Sequence, residues 1–246
     1  MTYNDRQSHT EERPAGGLSL EEEIRQKRAA RERRRRDRIR RRILAVSAVA
    51  LAALCGLLVW GVVRLFGGGG RVDLAEIAIP SWIEPHLLDL DGDARDGTPL
   101  KGVKDLAIHY VGNPNTTAIA NRNYFNTPGV EVSSHFIVGL EGEIIQCLPL
   151  NEKSAATNQR NSDTISIEVC HPDETGKFSD QTYASLIKLC AWLCRELGLT
   201  EENLIRHYDV TGKLCPLYYV EHEDAWEQLK ADVGQALAAE ASGTAG

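Results

Sequence analysis

Residues Ile43 to Val63 read ILAVSAVALAALCGLLVWGVV, 21 consecutive positions without a charge. A helix of that length spans roughly 30 Å, the thickness of a bilayer hydrocarbon core. A secretory signal has an apolar stretch of only about 7–15 residues and lies close to the N-terminus. This run is longer, begins at residue 43, and lacks a small-x-small cleavage site before the glycines at 67–70. The reading is an uncleaved transmembrane helix over 43–66, with a buried core helix as the alternative.

The N-terminal flank of that run is RQKRAARERRRRDRIRRR, with 12 Lys and Arg between Arg25 and Arg42. Residues 1–42 hold 14 of the chain's 28 basic residues and 8 of its 35 acidic ones. The remainder therefore carries 14 against 27, a net charge of −13. A basic arm and an acidic body need separate explanations. Lys and Arg beside a membrane span stay cytoplasmic and set its orientation, and the same charges can attract anionic lipid headgroups. Topology and lipid account for the arm without a nucleic-acid partner. Everything after Arg64 is then expected outside the cytoplasm.

Five cysteines fall in that exported part: Cys147, Cys170, Cys190, Cys194 and Cys215. Export permits disulfides, but an odd count without regular spacing does not describe a disulfide framework. Cys190 and Cys194 lie one helical turn apart on an apolar stripe and read as buried thiols.

Residues 1–42 form the basic arm, polar to about residue 18 and then helical from Ser19, where Ser19 and Glu22 fit a capping box. GGGG at 67–70 opens a flexible linker over 67–78. From there the pattern alternates. LAIHYVG is a buried strand, TAIANRNYFN a helix, and SSHFIVG with GEIIQCLP a hairpin turning at LEG. TISIEVCH is a second buried strand. SDQTYASLIKLCAWLCREL is a helix capped by Ser179, a short helix opens at Thr200, and HEDAWEQLKADVGQALAAE closes the fold. This predicts an α/β domain over 79–240, a central mixed β-sheet flanked by helices, with a frayed tail at 241–246.

Chemistry gathers on few residues. His109 sits inside an apolar strand, where a buried imidazole needs a partner. Zn2+ would be one. Catalytic zinc takes three protein ligands and keeps a fourth position open, and His109, His207 and Cys215 would make such a set. His109 lies far upstream of the other two, so local pattern alone does not establish the set. Zinc hydrolysis also needs a carboxylate to move a proton. Glu168, in TISIEVC, is the candidate, against an edge-strand residue facing solvent. Lys213 could hold negative charge developing on a substrate oxygen, against a solvated loop lysine.

Four blocks, LAIHYVGNPNTTA, SSHFIVGLEGEIIQC, NSDTISIEVCHPDETGKFSDQTY and RHYDVTGKLCP, resemble the zinc-dependent N-acetylmuramoyl-L-alanine amidases. These share a fold with peptidoglycan recognition proteins and amidase-type phage lysozymes. The likeness runs from about residue 79 to residue 232, with the blocks in family order. It implies zinc held in a surface groove by His109, His207 and Cys215, with Glu168 as acid/base and Lys213 as oxyanion stabiliser. Two positions depart from the pattern. Phage-type members carry a tyrosine where this chain has Ser134, before His135. Many members have a histidine after the hairpin, where the stretch SAATNQRN places Ala156. If Glu168 does not move the proton, His135 or Tyr110 is the next residue to consider.

The expectation is thus a single-pass, N-in cell-membrane protein displaying a peptidoglycan amidase toward the wall. It would cleave the amide between N-acetylmuramic acid and L-alanine. The alternatives are a non-catalytic muropeptide receptor of the same fold and a zinc-stabilised structural module, neither of which needs Glu168.

Overall fold

The computed structural model describes residues 72–90 and 92–242, together with isolated positions between 25 and 44. Those isolated positions, in Met1–Gly68, are helical and exposed. The apolar run at 43–63, except Leu44, and the tail at 243–246 lie outside the described residues. Among the described residues no helix is long and apolar enough to cross a membrane. The unit from Gly69 onward holds the fold.

Its centre is a six-stranded sheet. The strands are β1 (Ile83–Pro85), β2 (Asp105–Ile108), β3 (Phe136–Val138), β4 (Ile144–Gln146), β5 (Thr164–Val169) and β6 (Leu204–Arg206), in spatial order β1-β4-β3-β5-β2-β6. Every pairing is parallel except the β3–β4 hairpin. The hairpin turn is built on Gly142, whose φ of 82° suits a residue without a Cβ. A Cβ there would also lie 2.7 Å from Ser185 Oγ, because the turn rests on the helix behind it.

That helix is α2 (Asp180–Leu197), which follows α1 (Ala118–Phe125) in the chain. The Ser179 side chain accepts from Thr182 N to start it, and Gly198, at φ 66°, ends it. Leu186, Leu189, Cys190 and Leu193 are fully buried and spaced to make one apolar stripe. At roughly 1.5–3 kcal/mol per buried aliphatic side chain, this stripe outweighs any intrinsic helix preference. The short helices α3 (His207–Thr211) and α4 (Leu217–Glu221) precede α5 (Glu223–Ala241), which packs beside α2 through Trp226, Leu229 and Val233. The hairpin, both long helices and α1 stand where the sequence pattern placed them. Thr200 opens a single 3-10 turn rather than a helix. Strands β1 and β6 and helices α3 and α4, of three to five residues each, had not been anticipated.

Strand alternation divides the side chains between two layers. Leu106, Ile108, Ile165, Ile167 and Val169 face α2 and α5, and Trp192 fills the middle of that layer, edge-on to both Phe136 and Trp82. Ile137, Ile145, Cys147 and Leu148 face the opposite way, toward α1. The five cysteines of this unit are all buried and free.

Candidate metal centre and catalytic groove

The parallel register builds the site. Ile108 pairs with Ile167 on one side and with Arg206 on the other. One residue further along each strand, the row reads Glu168, His109, His207. Since Ile108 and Ile167 point into the α2 layer, His109 and Glu168 point the other way. The ladder holds to this point, because His109 N donates to Ile167 O at 2.9 Å. The row lies at the carboxyl ends of three parallel strands, where open α/β sheets place their ligand sites.

Cys215 reaches the row by a chain reversal. Gly212, at φ 78°, ends α3 and turns the backbone back. The Cys215 carbonyl then accepts from Tyr208 N at 3.1 Å, pinning the returning segment to the helix that carries His207. One donor atom from each of His109, His207 and Cys215 lies within 4.8 Å of the others. Cys215 Sγ is 3.8 Å from His109 Nδ1, and the two imidazole rings are 4.9 Å apart.

The electrostatics show what this cluster lacks. Burial, with His207 and Lys213 nearby, pulls His109 down to about 3. Burial and Lys213 also lower His207. Burial, followed by the Glu168 carboxylate, pushes the Cys215 thiol up to about 12. Two imidazoles are held neutral beside a thiol that burial keeps protonated despite the nearby Lys213 charge, so ionising it takes a stronger positive charge in direct contact. A thiophilic dication suits all three groups, since it accepts imidazole lone pairs and deprotonates a coordinating thiol. The donor set fits zinc.

Glu168 completes the site. Burial raises its carboxyl to about 8 against the pull of Lys213. Its Oε2 is sealed from solvent without a hydrogen-bond partner, while the residue as a whole is half-buried and borders a groove of about 630 Å³. Lys213, exposed, borders the same groove, as do the three donors. The fold therefore brings all five sequence-predicted site residues to one cleft.

The other candidates have different roles. His135 is fully buried, with Nδ1 near Ser166 Oγ and N and Nε2 2.9 Å from Glu152 O. It braces the hairpin and does not border the groove. Ser134 is buried as well, its hydroxyl donating to Phe136 O, and it is Ser133 that faces the groove. Tyr110 borders the groove and stacks on His171 at 5.1 Å. The sequence reading missed a group next to the donors. Thr157 Oγ1 lies 3.2 Å from His109 Nε2, and Asn158 Oδ1 lies 2.7 Å from His207 Nε2. Both come from the SAATNQRN segment, directly after Ala156.

Comparison with known proteins points to the same family as the sequence blocks. A family model described as N-acetylmuramoyl-L-alanine amidase matches residues 99–218, which contain every residue of this cleft named above. Residues 99–218 are similar to the N-acetylmuramoyl-L-alanine amidase family. Over 143 residues the chain is 31% identical to the N-acetylmuramoyl-L-alanine amidase CwlL of Bacillus licheniformis, covering 51% of this chain and 39% of that one. It is 31% identical over 157 residues to the amidase BlyA of Bacillus subtilis strain 168, covering 55% and 42%. The chain thus spans about two fifths of the length of these relatives. The solved catalytic domain of XlyA superposes with a TM-score of 0.54 at 27% identity, over 62% of this chain and 99% of that domain. The likeness to XlyA is therefore to its catalytic domain, and the segment of this chain before residue 69 has a different, strongly basic composition.

Proposed function

We propose that the chain is a membrane-anchored peptidoglycan amidase that hydrolyses the amide between N-acetylmuramic acid and L-alanine. The observation that carries this reading is the unpartnered, buried oxygen of Glu168, set in register beside three donors suited to zinc. A receptor or a structural zinc module would gain nothing from an uncompensated carboxyl group in that place.

His109, His207 and Cys215 would hold zinc, which when bound supplies Lewis acidity toward the amide carbonyl and makes water more acidic. Glu168 takes the proton of the attacking water and later gives it to the departing L-alanine amine. Lys213, on the exposed lip, steadies the negative charge that develops on the carbonyl oxygen. The products are the lactyl carboxylate of the muramic acid and a stem peptide with a free amino terminus.

The remaining parts follow from composition. Residues 1–42 would be a cytoplasmic basic arm able to meet anionic lipid, 43–66 a single transmembrane helix, and 67–78 a linker. The amidase domain, 79–240, would then stand outside the cytoplasm facing the wall. Digestion of purified peptidoglycan with residues 71–246, followed by mass spectrometry, tests the activity. Release of stem peptides beginning at L-alanine is the expected outcome. Binding of muropeptides without any cleavage would replace the amidase by the receptor.

A further inference from the structure

We infer that Thr157 and Asn158 are positioning residues for the metal. One turn of backbone, by hydrogen-bonding the outer nitrogen of both histidine ligands, aims both inner nitrogens at the zinc. This rests on the zinc reading of the cleft and extends it to two residues that are not ligands.

The geometry is specific at each histidine. Asn158 Oδ1 has no proton to give, so at 2.7 Å from His207 Nε2 it must accept. His207 then carries its proton on Nε2 and has its lone pair on Nδ1. His109 presents Nδ1 to Cys215 Sγ at 3.8 Å, while its Nε2 meets the Thr157 hydroxyl at 3.2 Å. Thr157 is fully buried, so its hydroxyl has no water to turn to in place of His109. A metal-binding histidine whose other nitrogen donates to a fixed acceptor is both oriented and made a stronger ligand.

The turn that supplies these oxygens is itself fixed. Asn161 Oδ1 accepts from Ala156 N at 3.2 Å and from Thr157 N at 2.6 Å. Gln159 Nε2 donates to Val210 O at 3.1 Å, tying the turn to α3, the helix that begins with His207. Asn158 holds a φ of 53°, a conformation that Asn tolerates and most residues resist. A left-handed residue whose side chain is committed to His207 is well explained if aiming that oxygen is its role.

The same conformation provides a clean test, because Asn158→Gly keeps a backbone suited to positive φ and removes only the acceptor. Thr157→Val removes the hydroxyl at nearly constant shape. The detergent-solubilised full chain is stripped and titrated with zinc against a competing chelator. The wild type, Asn158→Gly, Thr157→Val and the acceptor-retaining Asn158→Asp are compared. Loss of one outer partner should weaken zinc binding about 10–100-fold, and Asn158→Asp should restore it. The Co2+ forms of the two weakened variants should keep the thiolate-to-metal absorption with altered visible bands, because Cys215 is untouched. Affinities of Asn158→Gly and Thr157→Val within about threefold of wild type would refute the positioning role while leaving the zinc site standing. A wild type that binds no zinc would remove the basis of both.

Discussion

Replacing Glu168 by glutamine should make the metal-free domain more stable and the enzyme nearly inactive. The stability half follows from the carboxyl's surroundings. Its ordinary value of 4.5 is raised to about 8 by burial, only partly offset by Lys213. The folded state therefore holds a proton that the unfolded chain has released, and stability falls as pH rises between those two values. At about 1.4 kcal/mol per pKa unit, the full cost of the charge is roughly 5 kcal/mol above pH 8. About 3 kcal/mol of it is felt at pH 7 and under 1 kcal/mol at pH 5. These are upper figures, since the residue borders a groove that water enters. Glutamine has no such titration, although its amide meets the same unpartnered surroundings, so the diagnostic quantity is how the difference changes with pH. Urea unfolding of chelator-treated residues 71–246 at pH 5, 7 and 8 measures it. The advantage of Glu168→Gln should grow across that range and shrink once zinc is added, because a nearby dication stabilises the carboxylate. Peptidoglycan cleavage should fall on the order of 10²–10⁴-fold. A stability difference that stays flat with pH would refute the buried-charge account, and near-normal cleavage would refute the catalytic one.

Further outcomes follow from the same site. The His109→Ala, Cys215→Ser double variant should lose bound zinc by elemental analysis, and full retention would mean that other residues are the ligands. Lys213→Ala should lower the cleavage rate by roughly 10²-fold, as for the loss of an oxyanion donor, with zinc content unchanged; an unaltered rate would remove Lys213 from the chemistry. In intact cells with a permeable wall, added protease should remove the C-terminal domain and spare an N-terminal tag; protection of the domain would overturn the proposed orientation.

The sequence by itself determined the elements whose signal is local. The period of Leu186, Leu189, Cys190 and Leu193, the Ser179 cap and the LEG turn each act over a few neighbouring residues, so the pattern is visible in a short stretch. It also named the five residues that meet in the cleft, although motif order guided that choice as much as physics did. The three-residue strands β1 and β6 escaped notice because so short a segment has no period to detect and, unlike β3 and β4 of the same length, they have no hairpin turn beside them to mark them; each is completed by pairing its backbone groups with a neighbouring strand. Only tertiary structure decided which residues stand side by side. Register across β5, β2 and β6 aligned Glu168, His109 and His207, three residues from separate parts of the chain, and the reversal at Gly212 brought in Cys215. It also withdrew His135 into the interior and gave Thr157 and Asn158 their partners. Those contacts depend on hydrogen bonds between segments 48 or more residues apart, and no local pattern encodes which distant group a side chain will meet.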